Sequence, residues 1–261
     1  MLALPVTLNS AELTAWLGQW LWPMFRIAAA VWIMPLFGGQ SISPKARWAL
    51  VVTLTFLVAP TVGSIPKVEA LSPAAIVITF QQIGIGLAFG FLLRLWLALF
   101  AMVGQIISMQ MGLAMAVMND PSNGPGVAVL GSWFSTIASL AFLAMDGHLV
   151  AFTVLLESFQ TMPIGTGFAD VIWHDLANMG SWLFAGSLLV ALPSVISMLI
   201  VNMAFGVMNR AAPQLNIIAL GFPMTMLFGM VTVLFTMTAL PGMLVTLTTE
   251  VLQLMQTLAG G

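Results

Sequence analysis

The chain has 261 residues, of which 61% are hydrophobic and 5% charged, with a formal net charge of −2. A soluble domain carries about 25% charged residues, so a water-soluble fold of this size lacks the charge to cover its surface. The absence of cysteine rules out disulfides, thiolate metal sites and a Cys nucleophile, and the slight acidity gives no electrostatic case for nucleic acid.

With a mean hydropathy of +1.09 the composition predicts an integral membrane protein. Its apolar runs are continuous and long, whereas transmembrane strands would alternate over short segments. The expected fold class is therefore all-α. The first seven residues, Met-Leu-Ala-Leu-Pro-Val-Thr, lack the basic region of a signal peptide, so the first apolar run is expected to be retained and inserted.

Breakers divide the chain into six apolar blocks. Block one, 13–37, is closed by Gly38, Gly39 and Pro44. Block two is 48–65, softened by Pro60 and Gly63. Block three, 74–118, would span about 67 Å as one helix, against a hydrocarbon core of about 30 Å. It is expected to break at membrane depth or to lie within protein or along an aqueous path, the settings that tolerate irregular backbone there. Block four, 127–159, is interrupted at Asp146-Gly147-His148, which reads as a turn at a membrane edge. A polar connection is expected over 160–180, with Asp170, His174 and Asp175. Block five is 181–207. Block six, 217–258, carries an expected break at Pro241-Gly242.

Trp16, Trp20, Trp22, Trp48, Trp173 and Trp182 lie near block ends and read either as an interfacial belt or as core filler. Lys45, Arg47 and Arg210 place loops 38–47 and 208–216 in the cytoplasm by the positive-inside rule, and 160–180 outside. The chain divides into two unequal parts, 1–180 and 181–261, the second a long helical hairpin.

Three groups of residues are candidates for function. Gly104, Ser108, Gly112 and Ala116 recur at every fourth position, a small-residue stripe that lets helix backbones approach closely. Met109, Met111, Met115 and Met118 lie beside it. They read as gap-filling core or as a compliant seal in a pore, since methionine adapts to changing surfaces. The seal reading is strengthened by residues 119–126, where Asp120 and Pro121 open a segment with two prolines and two glycines that cannot stay helical. The third group, Asn209, Arg210, Pro213, Gln214, Asn216, Gly221 and Pro223, forms a polar tip for the late hairpin, denser than a turn requires, and reads as a partner-binding tip.

Arg26 and Arg94 lie inside apolar blocks and Glu157 near the end of block four. Pairing of a buried carboxylate with a guanidinium is one reading, and substrate or proton coupling is the other. A catalytic constellation is missing from the sequence: there is no His-Glu-x-x-His, no phosphate-binding loop and no paired intramembrane aspartates. His148 and His174 alone cannot build a His-rich metal site. No enzyme and no cofactor are expected.

The run Asn-Arg-Ala-Ala-Pro-Gln-Leu-Asn at 209–216 with Gly-Phe-Pro at 221–223 resembles the signature of the FliR family, flagellar biosynthetic proteins of the type III export gate. The 112–123 region, with Asp120-Pro121, is similar as well, and length and block pattern fit throughout. The resemblance implies a part similar to FliP over 1–180 fused to a hairpin similar to FliQ over 181–261. It implies a gate built with FliP and FliQ in the basal body of the bacterial inner membrane, with FlhB and FlhA as neighbours and unfolded flagellar proteins as cargo. The plug it implies maps to about residues 106–122. A small-solute secondary transporter using Arg26, Arg94 or Glu157 is the alternative.

Overall fold

A computed structural model describes residues 10–39, 42–63, 65–66, 68, 72–113, 129–166, 171–211 and 217–260. Every regular element among them is a helix: α1 (Ser10–Ile33), α2 (Pro35–Gly38), α3 (Pro44–Val58), α4 (Pro73–Gln110), α5 (Val129–Ala144), α6 (Gly147–Thr161), α7 (Val171–Ala211) and α8 (Ile217–Leu258). The fold is all-α. Pro73–Gln110, Leu176–Ala211 and Pro223–Leu258 are each long and apolar enough to cross a membrane.

Several expected breaks are absent. Block three runs as one unbroken helix of 38 residues as far as Gln110, short of the block's end at 118. Residues 171–180, expected in a polar connection, are the first turns of α7. Pro241 lies inside α8, which runs on through the expected break. A proline removes one backbone bond, and a long apolar helix with packed neighbours keeps its remaining ladder around it. One expected interruption is present. α5 and α6 are separated by Met145 and Asp146, and Asp146 takes φ 56, a left-handed conformation open to aspartate at a turn.

The helices build two compact units. The first comprises residues 1–94, 147–178 and 251–261; the second 95–146 and 179–250. In the first, Trp22, Ile27, Val31, Val51, Val58, Ala75, Ile78, Phe159 and Ile164 form a core contributed by α1, α3, α4, α6 and the turn after α6. Trp22 is thus core filler. Two glycines bring α4 against α1. A Cβ at Gly86 would overlap the carbonyl oxygen of Arg26, and one at Gly90 would lie 2.6 Å from that of Ala30. In the second unit, Trp96 is buried and packs on Phe100 and Phe142 with ring centroids 5.2 and 5.0 Å away. There α7 and α8 are joined by hydroxyls: Ser194 Oγ lies 2.7 Å from Thr236 Oγ1 and donates to the Thr232 carbonyl at 3.4 Å. Trp182 Nε1 donates to Glu250 at 2.8 Å further along the pair.

Candidate functional site

The end of α4 carries the first two candidate groups. Gly104 is buried against the start of α5; a Cβ there would overlap the backbone of Leu130 and Gly131. Ser108, one turn on, is buried, and its hydroxyl has no partner among the described residues. The helix then stops earlier than expected. Gly112 has φ 76, its N–H donates to the Met109 carbonyl at 3.1 Å, and the Leu113 N–H donates to the Ser108 carbonyl at 3.1 Å. This pair of bonds around a left-handed glycine is a Schellman stop. The stripe expected from Gly104 to Ala116 is therefore interrupted at Gly112, which ends the helix instead of continuing a face. Glycine adopts that backbone freely, and the following leucine supplies the apolar residue such stops favour.

The methionines differ in environment. Met109 is 60% exposed and Met111 2%. The Met111 side chain fills the space left by Gly229 on α8, and its carbonyl accepts from Thr225 Oγ1 at 3.5 Å. Met111 thus packs α4 against α8 within the second unit. Met115, Ala116, Met118, Asp120 and Pro121 lie outside the described residues.

At the hairpin tip, Asn209 and Arg210 are exposed in the last turn of α7. Pro213, Gln214 and Asn216 lie outside the described residues. The chain re-enters a helix at Ile217, so Gly221 and Pro223 sit inside α8 instead of setting its start. Pro223 is the seventh residue of α8, so the helix forgoes there the bond an N–H would make four residues back, as it does at Pro241.

Arg26 corrects a sequence expectation. Its guanidinium is fully buried, and no carboxylate is among the groups it bonds. Nε donates to Gln82 Oε1 at 2.9 Å. One terminal nitrogen donates to the Ser158 carbonyl at 2.8 Å and to Ser158 Oγ at 3.0 Å, and the other to the Met162 carbonyl at 2.9 Å. The Phe159 ring lies 4.2 Å from the guanidinium carbon. These carbonyls are at the C-terminal end of α6, where the helix dipole is negative; the Ser158 carbonyl also accepts from the Met162 N–H at 2.9 Å, so the guanidinium is its second donor. The cation therefore caps a helix and ties α1, α4 and α6 together. Glu157, the expected partner, is exposed, as is Arg94. Gln82 was not singled out from the sequence. The available signal was an amide in the middle of an apolar run, which must find a buried partner.

A family model described as bacterial export proteins, family 1, matches residues 17–251. The flagellar biosynthetic protein FliR of Pectobacterium carotovorum subsp. carotovorum is 36% identical over 230 residues, 87% of each chain. FliR of Escherichia coli strain K12 is 34% identical over 85% of each chain, and FliR of Bacillus subtilis strain 168 is 25% identical over 76% of this chain and 78% of its own. The chain belongs to this family of bacterial export proteins, the family of the flagellar biosynthetic protein FliR.

Proposed function

We propose that this protein is a non-enzymatic subunit of the flagellar type III export gate. It assembles with FliP and FliQ in the inner membrane, within the basal body, to form the channel through which unfolded flagellar proteins leave the cell. FlhB and FlhA are its neighbours. The observation that carries this reading is identity of 36% and 34%, over almost the whole length, to proteins named for flagellar biosynthesis. Uncovered apolar surface supports it. In their most apolar stretches, α7 and α8 are only 33% and 22% buried within the chain. Lipid or other subunits must cover the remainder.

In this reading residues 1–180 correspond to a FliP-like part and 181–261 to a FliQ-like hairpin, with loops 38–47 and 208–216 on the cytoplasmic side. The plug covers about residues 106–122, across the point where Gly112 ends α4. Met109 and the segment with Met115, Met118, Asp120 and Pro121 seal the path, while Gly104, Ser108 and Met111 anchor the base of that segment by packing. Arg210, with Asn209, Gln214 and Asn216, forms a subunit contact at the hairpin tip. The transporter alternative loses its residues here: Arg26 is buried and bonded to Gln82, Ser158 and the Met162 carbonyl, and Arg94 and Glu157 are exposed.

Two measurements test the proposal. The tagged chain, purified from its native membrane, should bring hydrophobic partner subunits with it; a chain that is stable and transports a small solute alone in proteoliposomes would overturn it. Deleting residues 114–118 should leave the complex assembled yet leaky to ions, and unchanged permeability would count against a sealing role.

A further inference from the structure

α3 has 15 residues and is about 22 Å long, too short for a hydrocarbon core of about 30 Å. Nevertheless its outer face is apolar. Trp48, Val52 and Phe56 are 45%, 54% and 70% exposed, and at 100° per residue they share an arc of about 80° with Lys45. On the flank of this face Thr53 satisfies its hydroxyl internally, donating to the Ala49 carbonyl at 2.8 Å. This side of the helix below Trp48 therefore offers no side-chain donor that needs water.

The polar end of the same face is ordered by level. Trp48 meets Trp32 of α1 edge to face, centroids 5.3 Å apart, and both indoles are exposed. Arg47 turns inward, donating to the carbonyls of Gly39 and Ile42, with its guanidinium carbon 5.5 Å from the Trp32 ring. Lys45 is left pointing outward. From Lys45 to Phe56 the helix rises about 16 Å, half of a hydrocarbon core. Cation, then paired indoles, then an apolar stripe one leaflet deep is the order of layers in a bilayer, with the amphipathic rings at the headgroup level.

We propose that the outer face of α3 is immersed in a single leaflet of the bilayer, with Lys45 on the headgroups of anionic phospholipids. Charge complementarity and the match of length select lipid over a protein partner, whose surface would not require the cation, the indoles and the apolar stripe in that sequence. The inference stands whether or not the chain forms an export channel.

The chain has no native cysteine, so single replacements Ala46→Cys, Val52→Cys and Phe56→Cys can carry a nitroxide in the full chain within its purified assembly. The assembly is reconstituted in phosphatidylcholine vesicles with and without phosphatidylglycerol. Collision with oxygen over a water-soluble nickel chelate should rise from 46 to 52 to 56, as depth increases. Labels at 52 and 56 shielded from both reagents would mean a protein cover, and labels reached by the chelate would mean water; either overturns the proposal. Phe56 also meets the Trp20 ring, with centroids 5.3 Å apart; should Phe56→Cys disturb that contact, the 46 and 52 labels carry the test. A benzophenone at Ala46→Cys should crosslink phosphatidylglycerol about fivefold over phosphatidylcholine at equal mole fraction, the preference one surface lysine gives. Lys45→Gln should bring the two to parity. Equal crosslinking before that substitution overturns the headgroup assignment.

Discussion

In the first compact unit the buried polar centre is a charge; in the second it is a set of hydroxyls. Arg26 reaches three elements of its unit, bonding Gln82 Oε1 and the Met162 carbonyl and adding a second donor to the Ser158 carbonyl, which the Met162 N–H also serves. Ser194, Thr232 and Thr236 link only α7 and α8, and each threonine hydroxyl also donates to a carbonyl of its own helix. The consequence of loss differs accordingly. Removing the guanidinium takes the donor from buried Gln82 Oε1 and from the Met162 carbonyl at once, whereas removing a hydroxyl leaves bonds that the helix already makes. A charge can be the stronger fastening here without a carboxylate, because the end of α6 supplies its partial negative charge through backbone.

The largest expected effect follows from that contrast. Arg26→Ala should destabilise the first unit by about 2–4 kcal/mol, since neutral buried acceptors left without a donor cost about 1–3 kcal/mol each, read as a lower midpoint of thermal unfolding of the purified complex. Arg26→Lys should recover only part, since one ammonium cannot reproduce the planar fork that reaches Gln82, Ser158 and Met162 together. Full recovery by lysine would show that charge alone matters and that the geometry of the fork does not.

Glycine contacts sharpen the comparison next. Gly86 and Gly104 face backbone, of Arg26 and of Leu130 and Gly131 respectively, so valine at either should lower stability by about 3 kcal/mol, the upper range for overpacking. At Gly229 the nearest atoms are those of the buried Met111 side chain, so a Cβ there asks a side chain to repack and no backbone to move. Gly229→Ala should therefore be milder, below about 1.5 kcal/mol. Equal losses at Gly86 and Gly229 in the same unfolding assay would erase the distinction.

Gly112→Ala should lower stability by about 1–2 kcal/mol through its left-handed backbone, and a midpoint equal to that of the parent would show that the stop does not need glycine. The smallest effect is expected in the hairpin. A double-mutant cycle of Ser194→Ala and Thr236→Val should give a coupling of about 0.6 kcal/mol, the average for interhelical hydroxyl bonds in membranes. A coupling as large as the Arg26 effect would make the two units alike.

Most of the architecture was legible in composition and periodicity. Membrane class, helical class and six apolar blocks follow from hydropathy, because apolar side chains at this density have one solvent that suits them. The turn at Asp146 was legible too, since Asp-Gly in an apolar run marks a break. Boundaries were less so. Gly112 was read as one of a stripe of small residues, although the same glycine with leucine behind it also spells a helix stop; local pattern alone does not choose between a face and an end. Pro241 looked like a breaker and is carried inside α8, as Pro193 is inside α7, because neighbouring helices support the ladder around them.

By itself, then, the sequence determined the solvent of this protein, its helical class and its kinship, the last through the Asn-Arg-Ala-Ala-Pro-Gln-Leu-Asn run. Only the tertiary structure decided what the scarce polar residues do. Arg26 looked for a carboxylate in the sequence and found the end of a helix; Met111 looked like one of a row and fills the space beside a glycine 118 positions away. Hydropathy is a property of each residue and can be summed along a chain. The partner of a buried donor, or the side chain that fills a missing Cβ, depends on which distant backbone packing brings within a few ångströms, and no local window contains that distance.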